Sequence, residues 1–152
     1  LAQAGSIRVS NAFGRKDRLM INVIGRSTLI TALFYGIFCA VIFSVFRYQL
    51  PIFFNKNESV IQLAALLLLY AAIFQISDST QAIGAGLLRG IKDVKVPTVL
   101  VVIAYWIIGI PVGYSLAFHF KMGAPGMWLG LITGLTLASV FFFVRFLRMT
   151  KQ

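Results

Sequence analysis

With 152 residues, 59% of them hydrophobic and only 12% charged, the chain carries about half the charged share of an ordinary soluble domain, which excludes a water-soluble globule around one core. The net charge of +10 would suggest nucleic acid in a soluble protein, but the fourteen Lys and Arg are scattered over separate loops, with no basic groove of stacking aromatics, so a nucleic-acid partner is excluded as well. Cys39 is the single cysteine, which leaves neither a disulfide framework nor a thiolate metal site.

Four apolar blocks are long enough for the roughly 20 residues of a membrane span. They predict an all-α membrane protein with transmembrane helices at 21–46, 58–89, 97–119 and 125–147, and the end of a fifth at 1–14. Residues 1–14, LAQAGSIRVSNAFG, begin without Met and already in a helical pattern, as a helix cut part-way would. Asn11 and Gly14 close it, and RKDR makes the loop. After the first full span, Pro51 and NKNES mark an external turn in which Asn57 or Ser59 can cap the next helix.

The block 58–89 would reach ~48 Å as one helix against a ~30 Å hydrocarbon layer, so it must bend, tilt or protrude. Gly84 and Gly86 are the expected hinge. Pro97 opens the third span, and Gly109, Pro111 and Gly113 interrupt it, which predicts a kink near Pro111. The last span starts at the turn APG and sets Gly126, Gly130 and Gly134 at intervals of four, continued by Ala138. That row reads as a seam where another helix packs closely.

Eleven of the fourteen basic residues lie at one end: Arg8, Arg15, Lys16, Arg18 and Arg26, then Arg89, Lys92 and Lys95, then Arg145, Arg148 and Lys151. Only Arg47, Lys56 and Lys121 lie at the other. The positive-inside rule predicts that the rich end, with the C-terminus, is cytoplasmic.

Asp78 is the one carboxylate in the interior of an apolar block, Glu58 standing at the first position of the same block. At about 100° per residue, Ala71, Phe74, Gln75, Gln81, Ala82 and Ala85 share its face. The opposite face holds Leu69, Ile73, Ile76, Ile83 and Leu87, and is expected to meet lipid. Arg89 is ~16 Å further along the helix, too far to neutralise the acid. Such a carboxylate takes a proton, binds a cation, or finds a partner in another segment, and each of these is an ion-linked state. Gln75, Ser79, Thr80 and Gln81 serve equally well as ligand contacts or as hydrogen bonds within and between helices.

The run FQISDSTQAIGAGLLRGIKD, followed by Pro97 and AYWIIGIPVGYSLAF, resembles the second half of the multidrug and toxic compound extrusion (MATE) transporters, the bacterial NorM-like branch in particular. SIRVSNAFGRKD resembles that family's SxRVGxxLG segment, and GAPGMWLGLITGL its GxxGxWxGxxxGL helix start. The resemblance implies a twelve-helix antiporter of two six-helix lobes in the bacterial inner membrane, exporting cationic amphiphilic drugs in exchange for Na⁺ or H⁺. This chain would hold the end of helix eight and helices nine to twelve. Asp78 falls on the family's acidic site for the coupling cation, which makes it the expected Na⁺ ligand, with Phe74, Gln75, Gln81 and Tyr105 as lining. External cation or proton would bind at Asp78 and favour release of drug outward. Two departures are visible: Phe74 stands where many relatives have tyrosine, and Ser10 replaces a glycine. The family's partner glutamate on helix seven and the N-terminal lobe lie outside this chain.

No paired carboxylates, nucleophile elbow or phosphate loop points to an enzyme, and no cofactor beyond the coupling ion is expected. GAG at 84–86 makes no dinucleotide fingerprint, and His119 between Phe118 and Phe120 reads as an interface residue. The alternative to transport is a truncated membrane module that packs with a partner or is inert. Since the glycine seam and the Asp78 face both expect neighbours, the isolated chain is expected to be poorly stable.

Overall fold

The computed structural model describes residues 1–151, and all of their regular structure is helical. In chain order these are α1 (Ala2–Gly14), α2 (Arg18–Val45), α3 (Gln49–Ile52), α4 (Glu58–Gly90), α5 (Lys95–Val102), a π-helical segment (Ile103–Gly109), α6 (Ile110–Tyr114), a second π segment (Ser115–His119) and α7 (Ala124–Lys151). Four of the resulting rods are long and apolar enough to cross a membrane: Arg18–Val45, Glu58–Gly90, Lys95–His119 and Ala124–Thr150.

Local chemistry sets the starts. The Asp17 carboxylate accepts from the Met20 N–H at 3.0 Å and caps α2, which therefore begins three residues before its apolar run. Asn57 caps α4, accepting from the Ser59 N–H at 3.1 Å and the Ser59 hydroxyl at 2.7 Å. Between them, the segment around Pro51 is not a bare turn. It contains the short α3, and Pro51 itself is buried.

The two ends α1 and α4 close identically. Lys16 and Lys92 take positive φ, 57° and 62°. The next N–H, of Asp17 or Asp93, reaches back to the carbonyl of Ala12 or Leu88 at 3.0 and 2.9 Å. A non-glycine residue in this conformation costs about 1–2 kcal/mol.

Helix α4 runs unbroken through Gly84 and Gly86. Both are contact points: a Cβ at Gly84 would sit 2.9 Å from Phe142 Cβ, and one at Gly86 would sit 2.8 Å from the Ala2 carbonyl. The glycines thus let α7 and α1 close on the cytoplasm-predicted half of α4. That wrapping overturns one expectation, because Ile83 and Leu87 do not meet lipid. They are buried with Val9, Ile24, Phe142 and Phe146 in the main core, while Ile73, higher on the same row, stays 53% exposed. The helical wheel cannot register that the surroundings of a 33-residue helix change along its length.

The interruption around Pro111 takes the form of widened turns on both sides of it. The Ile110 N–H donates five residues back to the Tyr105 carbonyl, and the Phe120 N–H does the same to Ser115 at 3.1 Å. Pro111, in the middle of this rod, has no N–H to give the ladder, and the widened turns flank it.

Against this third span lies the glycine row of α7. Built Cβ atoms at Gly126, Gly130 and Gly134 would fall 2.6 Å from Ala117 N, 2.3 Å from Gly113 Cα and 2.8 Å from the Ala104 carbonyl. The Ser77 and Thr136 hydroxyls, 2.8 Å apart, add a link between α4 and α7. At the helix ends, Arg145 of α7 pairs with Asp93 in the α4–α5 turn, where Asp93 is 10% exposed. Asp93→Asn is expected to lower the stability of the full-length protein by about 1–3 kcal/mol, read by thermal unfolding in detergent. Combining it with Arg145→Met should cost less than the two single changes summed, because no charge is then stranded.

Candidate functional site

Asp78 lies on the middle turns of α4, half-buried. It forms no hydrogen bond or ion pair with any described residue, whereas its hydroxyl neighbours do. Ser79 and Thr80 donate to the Ile76 carbonyl at 3.0 and 2.9 Å, which makes them internal helix bonds, and Ser77 is committed to Thr136. The carboxylate opens into a cavity of about 390 Å³ between α1, α2 and α4, lined by Ala2, Ala32, Tyr35, Gln75, Asp78, Ser79 and Ala82 among others.

Gly36 explains why α2 comes so near. A Cβ there would fall 2.5 Å from the Ser79 hydroxyl and 3.1 Å from Ile76 Cα, so only glycine permits this crossing. The crossing brings Tyr35 into the Asp78 cavity, a residue that sequence reasoning missed. Its one local signal is the adjacent Gly36, in a span that also carries Phe34, Phe38 and Phe43.

The other sequence-nominated residues divide. Gln75 lines the cavity, and its side chain offers an amide oxygen and two donors beside the acid. Phe74 instead turns toward α7, meeting Trp128 edge-on with ring centroids 5.8 Å apart and planes at 85°. Gln81 shares the helix face without lining this cavity. Tyr105 comes from the first π segment and does not line this cavity. Gly84, Gly86, Pro111 and the row of Gly126, Gly130 and Gly134 build the scaffold and do not touch the cavity.

Toward the other end of α4, Val60, Ala64, Leu67 and Ala71 continue the Asp78 stripe. With Pro51, Phe54 and Trp128 they form an apolar groove of about 670 Å³. One helix face thus presents hydrocarbon, then an aromatic pair, then a carboxylate. Chemically, this suits a molecule with a positive head and an apolar body. Among the described residues there is no cluster of three or more His, Cys, Asp or Glu. A cation held here would therefore rest on one formal charge, Asp78, with neutral oxygens such as those of Gln75 and Tyr35 around it.

The family model described as MatE matches residues 1–115. The chain is similar to the probable multidrug resistance protein NorM of Shewanella oneidensis, with 39% identity over 146 residues, 93% of this chain and 32% of that protein. It is similar to the protein of the same description from Brucella suis, with 37% identity over 151 residues, 96% of this chain and 32% of that protein. The crystal structure of the eukaryotic MATE transporter AtDTX14 matches with a TM-score of 0.76 and 25% identity, covering 93% of this chain and 32% of that one. The chain therefore spans about a third of the length of the curated relatives it matches.

Proposed function

This chain belongs to the MatE family as a NorM-like member, and on that premise we propose that it is the C-terminal part of a multidrug efflux antiporter exporting cationic and amphiphilic compounds in exchange for Na⁺ or H⁺. In this reading α1 is the end of helix eight, and the four long rods are helices nine to twelve of a protein in the bacterial inner membrane. The C-terminus is cytoplasmic, a sidedness supported by the bias of eleven basic residues to one end against three at the other.

One observation carries the reading: Asp78 is a membrane-centred carboxylate with no partner among the described residues, open to a cavity that holds Tyr35 and Gln75. Keeping an acid at such a depth is costly, so its retention calls for a role that uses the charge. Antiport supplies one. Coupling ion and cationic drug compete for a single negative charge, so each favours a state of the protein that the other disfavours, which is the differential affinity exchange requires. The apolar groove above Asp78 would hold the body of the drug by contacts loose enough for varied shapes. The N-terminal lobe and helix seven would complete the cleft.

The full-length protein, expressed in a bacterial host lacking its own efflux pumps, is expected to lower accumulation of a fluorescent cation such as ethidium. Collapse of the Na⁺ or the proton gradient, whichever drives it, should restore accumulation. Accumulation equal to that of cells carrying an empty vector under both gradients would refute the reading.

A further inference from the structure

The two turns that close α1 and α4 share a sequence pattern, GRKD at 14–17 and GIKD at 90–93, and they lie side by side. Gly90 makes this adjacency possible, since a Cβ on it would fall 2.7 Å from the Ser6 carbonyl of α1. Between the turns and the end of α7 is a cavity of about 560 Å³. Lys16, Arg18 and Lys92 line it, the two lysines each at the positive-φ position of its turn. Ser10 adds a hydroxyl, and Phe13, Ile21, Ile91 and Met149 make the rest of the wall largely hydrocarbon.

Among the described residues, no carboxylate lines this cavity. The acid that follows each lysine is engaged elsewhere: Asp17 caps α2, and Asp93 is paired with Arg145. Two lysines and Arg18 therefore border a space to which no described lining residue brings a negative charge. It sits at the end of the bundle that carries eleven of the fourteen basic residues, the level at which a membrane places its headgroups.

We propose that this cavity is a binding site for the phosphate of an anionic phospholipid, with Lys16 and Lys92 as its charged contacts, Ser10 as a hydroxyl donor, and the apolar wall against the upper acyl chain. The mixed lining favours a lipid over a soluble anion, because a free phosphate gains nothing from Phe13, Ile21 and Met149. Glycine would occupy both positive-φ positions without strain, and lysine stands in each of them.

That strain also provides a test in which loss of binding cannot be mistaken for misfolding. Lys16→Gly with Lys92→Gly removes both charges while relaxing the backbone. Lys121→Gly does the same at a third positive-φ lysine, at the opposite end and outside the cavity. The purified full-length protein, stripped of lipid in detergent, is titrated with phosphatidylglycerol, phosphatidylcholine or inorganic phosphate, and thermal stability and retained lipid are measured by unfolding and native mass spectrometry. Phosphatidylglycerol is expected to stabilise the wild type and Lys121→Gly equally, and to bind the double variant at least tenfold more weakly. Phosphatidylcholine and inorganic phosphate are expected to do neither. Equal effects of the two lipids, or full binding by the double variant, would overturn the proposal and leave the lysines as partners of the two helix C-termini alone. Stabilisation by inorganic phosphate alone would overturn the lipid assignment.

Discussion

Gly130→Ala is expected to destabilise the full-length protein at the upper end of the ~1–3 kcal/mol typical of overpacking, and to reduce the amount of folded protein recovered from membranes. The added carbon would lie 2.3 Å from Gly113 Cα, 2.4 Å from Gly113 N and 2.6 Å from the Gly109 carbonyl. All three neighbours are backbone, so no side chain can swing aside. The third span and α7 must separate, and close approach is the main source of helix association in lipid, where burial of apolar surface adds little. Gly25→Ala makes a useful contrast. Its Cβ would also come within 2.3 Å of a neighbour, but that neighbour is the edge of the Phe146 ring, a side chain that can shift as a whole where backbone cannot, so a smaller loss is expected. Gly14→Ala meets nothing within 4 Å and should leave stability unchanged. A melting temperature for Gly130→Ala equal to that for Gly14→Ala would show that the seam is not the close contact described.

The four spans could be read from the sequence because lipid imposes a simple condition: about 20 apolar residues without charge. The same condition exposed Asp78, whose presence violates it. What the sequence did not reveal depends on which helix lies beside which. Ile83 and Leu87 share a wheel face with Ile73, and only the approach of α1 and α7 at Gly86 and Gly84 decides that two are core and one is not. Tyr35 reaches the Asp78 cavity because α2 crosses α4 at Gly36, 43 residues before Ser79 on the chain, which no local pattern encodes. The Ser77 hydroxyl meets Thr136, in the last span and 59 residues away on the chain, a pairing that no local pattern marks. Pro111 announced an interruption, but not that it takes the form of π register on both sides, where the span lies against the glycines of α7.

Asp78→Asn is expected to abolish ion-driven efflux in the full-length protein, by tenfold or more in the initial rate, while leaving thermal stability equal or higher. The amide keeps the size of the carboxylate and its capacity for hydrogen bonds. It neither carries a charge nor takes up a proton near neutral pH, so competition between drug and ion for one negative site disappears. The opposite direction of the two readouts is what separates coupling from structure. An acid that merely held helices together would lose stability along with transport, because its partners would be left unsatisfied. Asp78 has no hydrogen-bonding or ion-pair partner among the described residues, so removing its charge from the membrane interior relieves a desolvation cost. Gln75→Ala, which takes a neutral oxygen from the same cavity, should weaken apparent affinity for the coupling ion with a smaller effect on the maximal rate. Both variants are measured in vesicles with imposed Na⁺ and pH gradients. Ion-dependent transport that survives Asp78→Asn unchanged would remove this carboxylate from the mechanism and assign the coupling charge to a part of the protein beyond these four spans.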